Sequence, residues 1–327
     1  MVATTFPAST RGRAVQTRLA FETTGGVIPS AGWKPVRFYS LTAGLQRGLV
    51  RDNQLGLAEA NSRDSGERRR GLPGGSLRRT TPINLTEAGY WLSAGFRRAP
   101  ATGADGDFVH VFDTGGEGPA QLLSLAHKYA EDDFTIDRGV ALAELQISAA
   151  KTENVARFNM TLMGLGDAVD DAWPAGAVSA AAAADDFSDW RWRVLFDEGP
   201  VGDALNIDIN LNRGVEMVQG MSGDEWPTFH HFGEADATAS FKLYGRGKAF
   251  RDLGRAGASG KITLEATAPD DPENRYLRIE LPNAQFNQPQ NEVSSGGQMS
   301  ADFSVEAGQT SEASAAVITL ANGVAAY

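Results

Sequence analysis

Leu205-Asn206-Ile207-Asp208-Ile209-Asn210-Leu211 places an apolar residue at every odd position and a polar one at every even position. A period of two is the mark of a strand with one buried face. Met299-Ser300-Ala301-Asp302-Phe303-Ser304-Val305-Glu306 repeats the pattern, and shorter stretches agree: Ala143 to Ile147, Trp190 to Val194, Lys261 to Glu265 and Leu277 to Leu281. One-sided amphipathic strands imply antiparallel sheets. With 37 Gly and little helical periodicity, the chain reads as mainly β.

Helical signals are few. Thr86 is read as an N-cap, with Ala88, Trp91, Leu92 and Gly95 on one face behind it, and a second short helix is expected from Lys248 to Leu253, stopped by Gly254. Each follows a strand and a long polar loop. Leu45-Gln46-Arg47-Gly48-Leu49-Val50 matches Leu211-Asn212-Arg213-Gly214-Val215-Glu216 in pattern and in order of neighbours. This points to an internal duplication. The Ala/Gly/Pro-rich stretch 167–186 divides the chain into a first β module, residues 1–166 with an N-terminal arm and a loop at 51–75, and a second, residues 187–327.

Composition narrows the function. The 327 residues carry a net charge of -11, which opposes sequence-independent nucleic-acid binding because that needs Lys and Arg against phosphates. There is no Cys, hence no disulfide framework and no thiolate metal site. No apolar run has the length of a membrane span, and Met1 to Arg13 has no apolar stretch behind Arg11 and Arg13, so we expect neither a membrane partner nor export by that route.

Motifs of chemistry are missing too. Neither a phosphate-binding glycine loop nor a nucleophile elbow occurs. His230-His231, flanked by Phe229 and Phe232, would point to opposite sides of an extended segment, which suits an aromatic cluster better than a metal. Acidic pairs such as Asp132-Asp133, Asp170-Asp171, Asp185-Asp186 and Asp270-Asp271 read as solvated loops. We therefore expect no catalytic residue, no cofactor and no metal. Arg63, Arg68, Arg69, Arg70, Arg78 and Arg79 stand out in an acidic chain, either as a flexible surface loop or as a basic arm reaching an acidic partner, for which another copy of the chain is the simplest choice.

Phe21-Glu22-Thr23-Thr24-Gly25 leading to Trp33-Lys34-Pro35-Val36-Arg37-Phe38, the strand and helix to Phe96, and the segment Asp133 to Gly164 resemble, in order, the tail tube proteins of siphophages. The resemblance covers nearly the whole chain, with the insert Arg97 to Gln121 and the Ala-rich linker as departures. It implies two related antiparallel β-sandwich or half-barrel modules, each flanked by a short helix, assembling into a ring with a continuous inner β-barrel. It further implies a non-enzymatic virion protein, the major tube subunit of a long non-contractile tail, built in the host cytoplasm. Its partners would be itself, as three-chain pseudo-hexameric rings or as hexamers, and a tail terminator, a tape measure and a distal tail protein at the tube ends. DNA would pass without specific binding. Under this reading the arginines above lie between subunits or rings, and Asn206, Asp208 and Asn210 face the lumen. The alternative is a carbohydrate- or peptide-binding β-sandwich, with Trp33, Trp173 or Trp226 exposed for stacking on sugars.

Overall fold

The computed structural model describes residues 15–43, 46–51, 68–74, 76–104, 106–115, 121–130, 133–150, 156–168, 173–175, 186–187, 191–200, 204–221, 226–244, 252, 255–257, 259–287, 290–292, 300–310 and 314–327. The first half contributes β1 (Gln16–Phe21), β2 (Lys34–Pro35), β3 (Ser40–Thr42), β4 (Gln46–Arg51), β5 (Arg68–Gly74), β6 (Ser76–Pro82) and helix α1 (Ala88–Gly95). It continues with β7 (Arg97–Arg98), β8 (Thr102–Ala104), β9 (Asp107–Asp113), β10 (Leu123–Ala130), β11 (Asp133–Ala150), β12 (Arg157–Met163) and β13 (Gly166–Ala168). The second half has β14 (Arg191–Phe196), β15 (Gly199–Pro200), β16 (Ala204–Asn212), β17 (Val215–Val218), β18 (Phe229–Phe232) and β19 (Asp236–Tyr244). Then come β20 (Ser259–Thr267), β21 (Tyr276–Phe286), β22 (Gln290–Glu292), β23 (Ser300–Ala307) and β24 (Val317–Asn322).

Pairing repeats between the halves. In the first, β1 pairs with β10, β10 with β11, β11 with β12 and β13, β12 with β6, and β6 with β3. In the second, β14 pairs with β20, β20 with β21, β21 with β23 and β24, β23 with β19, and β19 with β16. A two-stranded hairpin interrupts each at the same place, β4–β5 between β3 and β6, and β17–β18 between β16 and β19. Register aligns the halves residue by residue. Ser40 and Thr42 face Thr80 and Arg78 as Asn206 and Asp208 face Lys242 and Ser240, and the same spacing brings Arg47 onto Arg213. The duplication legible in the two Arg-Gly segments is thus a duplication of strand order, and the fold is two related antiparallel modules.

The modules share a sheet. The C-terminal half of β11 pairs with β16, from Glu144↔Asn212 to Ala150↔Asn206. One hydrophobic cluster runs beneath both, from Leu125, Leu142 and Phe158 to Ile209, Phe241 and Val305. The insert of the first half joins the second: β9 pairs with β24 from Val317↔Asp113 to Asn322↔Phe108. The chain ends against α1, with Tyr327 edge-on to Tyr90 at 5.0 Å and its hydroxyl 2.5 Å from Asn322 Nδ2.

Two local expectations need correction. Thr86 does not cap α1: Glu87 holds the position before its first residue and makes no side-chain cap hydrogen bond, while Asn84 Oδ1 accepts from the backbone N–H of Thr86 and Glu87 in the turn that leads into the helix. Asp186 is no solvated loop acid: it grips Arg37 with Nη1 to Oδ2 at 2.9 Å and accepts from Asn84 Nδ2. It pins the end of the linker to the start of the helix. Of the expected second helix, residues 248–251, 253 and 254 lie outside the described residues, while Asp252, Arg255 and Ala256 are helical.

Candidate assembly interface

The strands β3, β6, β12, β11, β16, β19, β23 and β22 lie side by side, four from each module. Strand alternation sends Leu77, Leu145, Ile147, Leu162, Ile207, Ile209 and Leu211 to the core. The other face carries Arg78, Glu144, Gln146, Asn159, Asn206, Asp208, Asn210, Asp302 and Glu306, from half-buried to exposed. Asn206, Asp208 and Asn210 thus stand together in the middle of one broad polar face, opposite Ala150, Ser148 and Gln146 of the first module.

The arginines separate. Arg63 lies outside the described residues, and Arg68, Arg69 and Arg70 form the start of β5, facing Arg51, Val50 and Leu49 of β4. Arg78 is exposed on the polar face. Arg79 is buried and leaves the inter-subunit set: its Nη2 donates to Thr17 Oγ1 at 2.8 Å, and its guanidinium stacks over Trp91 at 4.8 Å. Leu77 already marks that side of the strand as the core side, so period two assigns Arg79 inward. Burial pushes its pKa down to about 9, which still leaves it charged at neutral pH.

The Phe21 to Phe38 opening also has a physical basis. The Glu22 carboxylate, buried, accepts from Gly26 N–H, Ser124 Oγ and Gly139 N–H at 2.6 to 2.7 Å, so it ties the Gly25-Gly26 turn to β10 and β11. Gly139 sits at a positive φ of 59°, just before β11 passes from pairing with β10 to pairing with β12. Trp33 is buried with its indole N–H on Pro29 O, which corrects the expectation of an exposed sugar platform there. Trp173 is half-buried against Phe134 and under Arg18.

His230 and His231 occupy β18 and do diverge: His230 Nε2 meets Gly139 O at 2.6 Å, whereas His231 is exposed. Among the described residues no group of three His, Asp or Glu is placed to hold a metal ion, and no helix is long and apolar enough to cross a membrane.

What recurs is a sheet with one polar face, a second copy of the same strands, and strand edges at either end. No curated protein matches the chain. A sequence profile described as phage tail tube protein matches residues 12–307, nearly its full length. The chain belongs to the phage tail tube protein family, structural components of the virion tail that assemble into a tube.

Proposed function

We propose that the chain is the major tube subunit of a long, non-contractile siphophage tail, forming stacked rings whose channel conducts DNA during ejection, without catalytic turnover. Residues 1–166 and 187–327 act as two ring-forming modules joined by 167–186. The observation that carries this reading is the pairing of β11 with β16, which joins module to module head to tail within one chain. Among the described residues the same edges remain at the ends of the eight strands: β3, paired on one side by β6, and β22, paired on one side by β23. An edge strand is a template for pairing with another chain, and closure removes it. Two modules per chain favour three chains per ring, the heterologous contact closing by rotation.

In this reading the part of the polar face that no hairpin covers lines the channel, with Asn206, Asp208 and Asn210 near its middle. DNA carries one negative charge per ~1.7 Å of helix axis, so a basic wall would hold it at many phosphates. Acidic and neutral side chains let it slide. The tube ends would meet a tail terminator, a distal tail protein and the tape measure, all assembled in the host cytoplasm. Asp208→Lys tests the placement: virions carrying it should eject DNA more slowly, most clearly at low salt. Unchanged ejection kinetics at low salt would contradict it.

A further inference from the structure

The intrachain junction holds a second contact besides the paired strands. The β17–β18 hairpin of the second module sits on the side of β11 away from the core, where Arg213 N–H donates to Ala143 O at 2.8 Å and His230 meets Gly139 O. Val215 and Phe232 pack there with Ala141, Ala143, Met163 and Leu122. This seat is apolar, and so is the part of the hairpin that fills it.

Register finds both halves of this contact again elsewhere. Ala141 faces Met163 and Leu142 faces Leu162, as Gln285 faces Glu306 and Phe286 faces Val305. Ala141, Ala143 and Met163 therefore correspond to Gln285, Asn287 and Glu306, which are all exposed. On the hairpin, Val215 faces Phe232 and Leu49 faces Arg70, so Phe232 and His230 correspond to Arg70 and Arg68. Where the filled seat is apolar, the open one is polar and acidic; where the docked hairpin carries Phe, the other carries Arg. The two replacements are complementary, and β4–β5 pairs with no other described strand.

Resting on the ring reading above, we infer that the β4–β5 hairpin of one chain docks on the β21–β23 face of the next chain, Arg70 against Glu306, as β17–β18 docks on β11 within the chain. The strands beside it take the intrachain register. Ser148 faces Asp208 inside the chain. Thr42 holds the place of Asp208, and Glu292, which faces Ser300 as Ser148 faces Arg157, holds that of Ser148. Thr42 of one chain then faces Glu292 of the next. The occupant of the open seat is a second copy of this protein.

The absence of native Cys makes the contact testable by cross-linking. Full-length chains carrying Arg70→Cys with Glu306→Cys, or Thr42→Cys with Glu292→Cys, should form inter-chain disulfides on oxidation of assembled material. Arg70→Glu and Glu306→Arg should each raise the concentration needed for assembly at least about tenfold, and the double swap should restore it. Unchanged melting of the isolated variants separates this from misfolding. Assembled tubes in which Thr42→Cys with Glu292→Cys cross-links but Arg70→Cys with Glu306→Cys does not, and which tolerate both single swaps, would overturn the docking while leaving the ring reading intact. A wild-type chain that stays monomeric would overturn both.

Discussion

At matched positions the two modules have built different cores. The first buries Thr17, Arg79, His127 and Asp137; register places Val194, Phe241, Leu264 and Leu281 at the same four points of the second, also buried. In the second module Phe241 stacks on Phe303 at 5.6 Å and meets Phe286 edge-on, an apolar solution that leaves nothing to satisfy. In the first, His127 Nε2 lies 3.2 Å from Asp137 Oδ2 but is not aligned as a hydrogen bond, and Arg79 Nε and Nη1 find no hydrogen-bond partner among the described residues. The same strand order therefore does not need a polar core. Burying a charge costs more than its pairing returns unless the geometry is excellent, so the first module gains little stability from these groups.

The largest expected effect separates the two cores. Phe241→Ala should cost about 3–5 kcal/mol, as large-to-small changes of a buried aromatic do. Arg79→Met should stay within about 1 kcal/mol of wild type or stabilise, because a hydrophobe of similar length removes the desolvated charge. Denaturant melts of both decide it; the reverse order would break the comparison.

A smaller effect tests the seam. A Cβ at Gly89 would lie 2.1 Å from the ring of Tyr327, so Gly89→Ala must expel the chain end from α1 and should cost about 1–3 kcal/mol. At Gly308 a Cβ meets no atom of the described residues within 4 Å, and Gly308→Ala should stay within about 0.5 kcal/mol. Equal melting temperatures for the two would show that the C-terminal contact does not hold the modules together.

The smallest effect is on pH dependence. Burial lowers the His127 pKa, the Asp137 carboxylate opposing it only in part. The folded state thus keeps His127 neutral where the unfolded chain, with a pKa near ~6.5, takes up a proton. Stability present above that range should fall as pH drops through it. His127→Leu, which copies the second module's Leu264, should flatten the profile between pH 7 and 5; an unaltered slope would remove His127 as its source.

Much of this was readable in the sequence because it is local. Alternation at 205–211 states which side of β16 is buried, and the repeated Arg-Gly segment states that strands recur. Arg79 was readable in principle from Leu77, but its adjacency to Arg78 in a run of basic residues masked the alternation. The turn held by Asn84 was masked because Thr86, an equally good capping type, stands two residues on. Nothing local could announce that β9 joins β24, more than two hundred positions away, or that β11 crosses from one module's sheet into the next. Such pairings are fixed by tertiary closure and leave no period. Period two gives β16 its polar face; the neutral and acidic character of that face is what favours the channel side in the proposed tube.

Electron cryomicroscopy of assembled tubes tests the head-to-tail account most directly. It should show three chains per ring, β3 of each chain paired with β22 of the next, and Asp208 turned into the channel. Rings of six chains, or Asp208 on the outer surface, would contradict it.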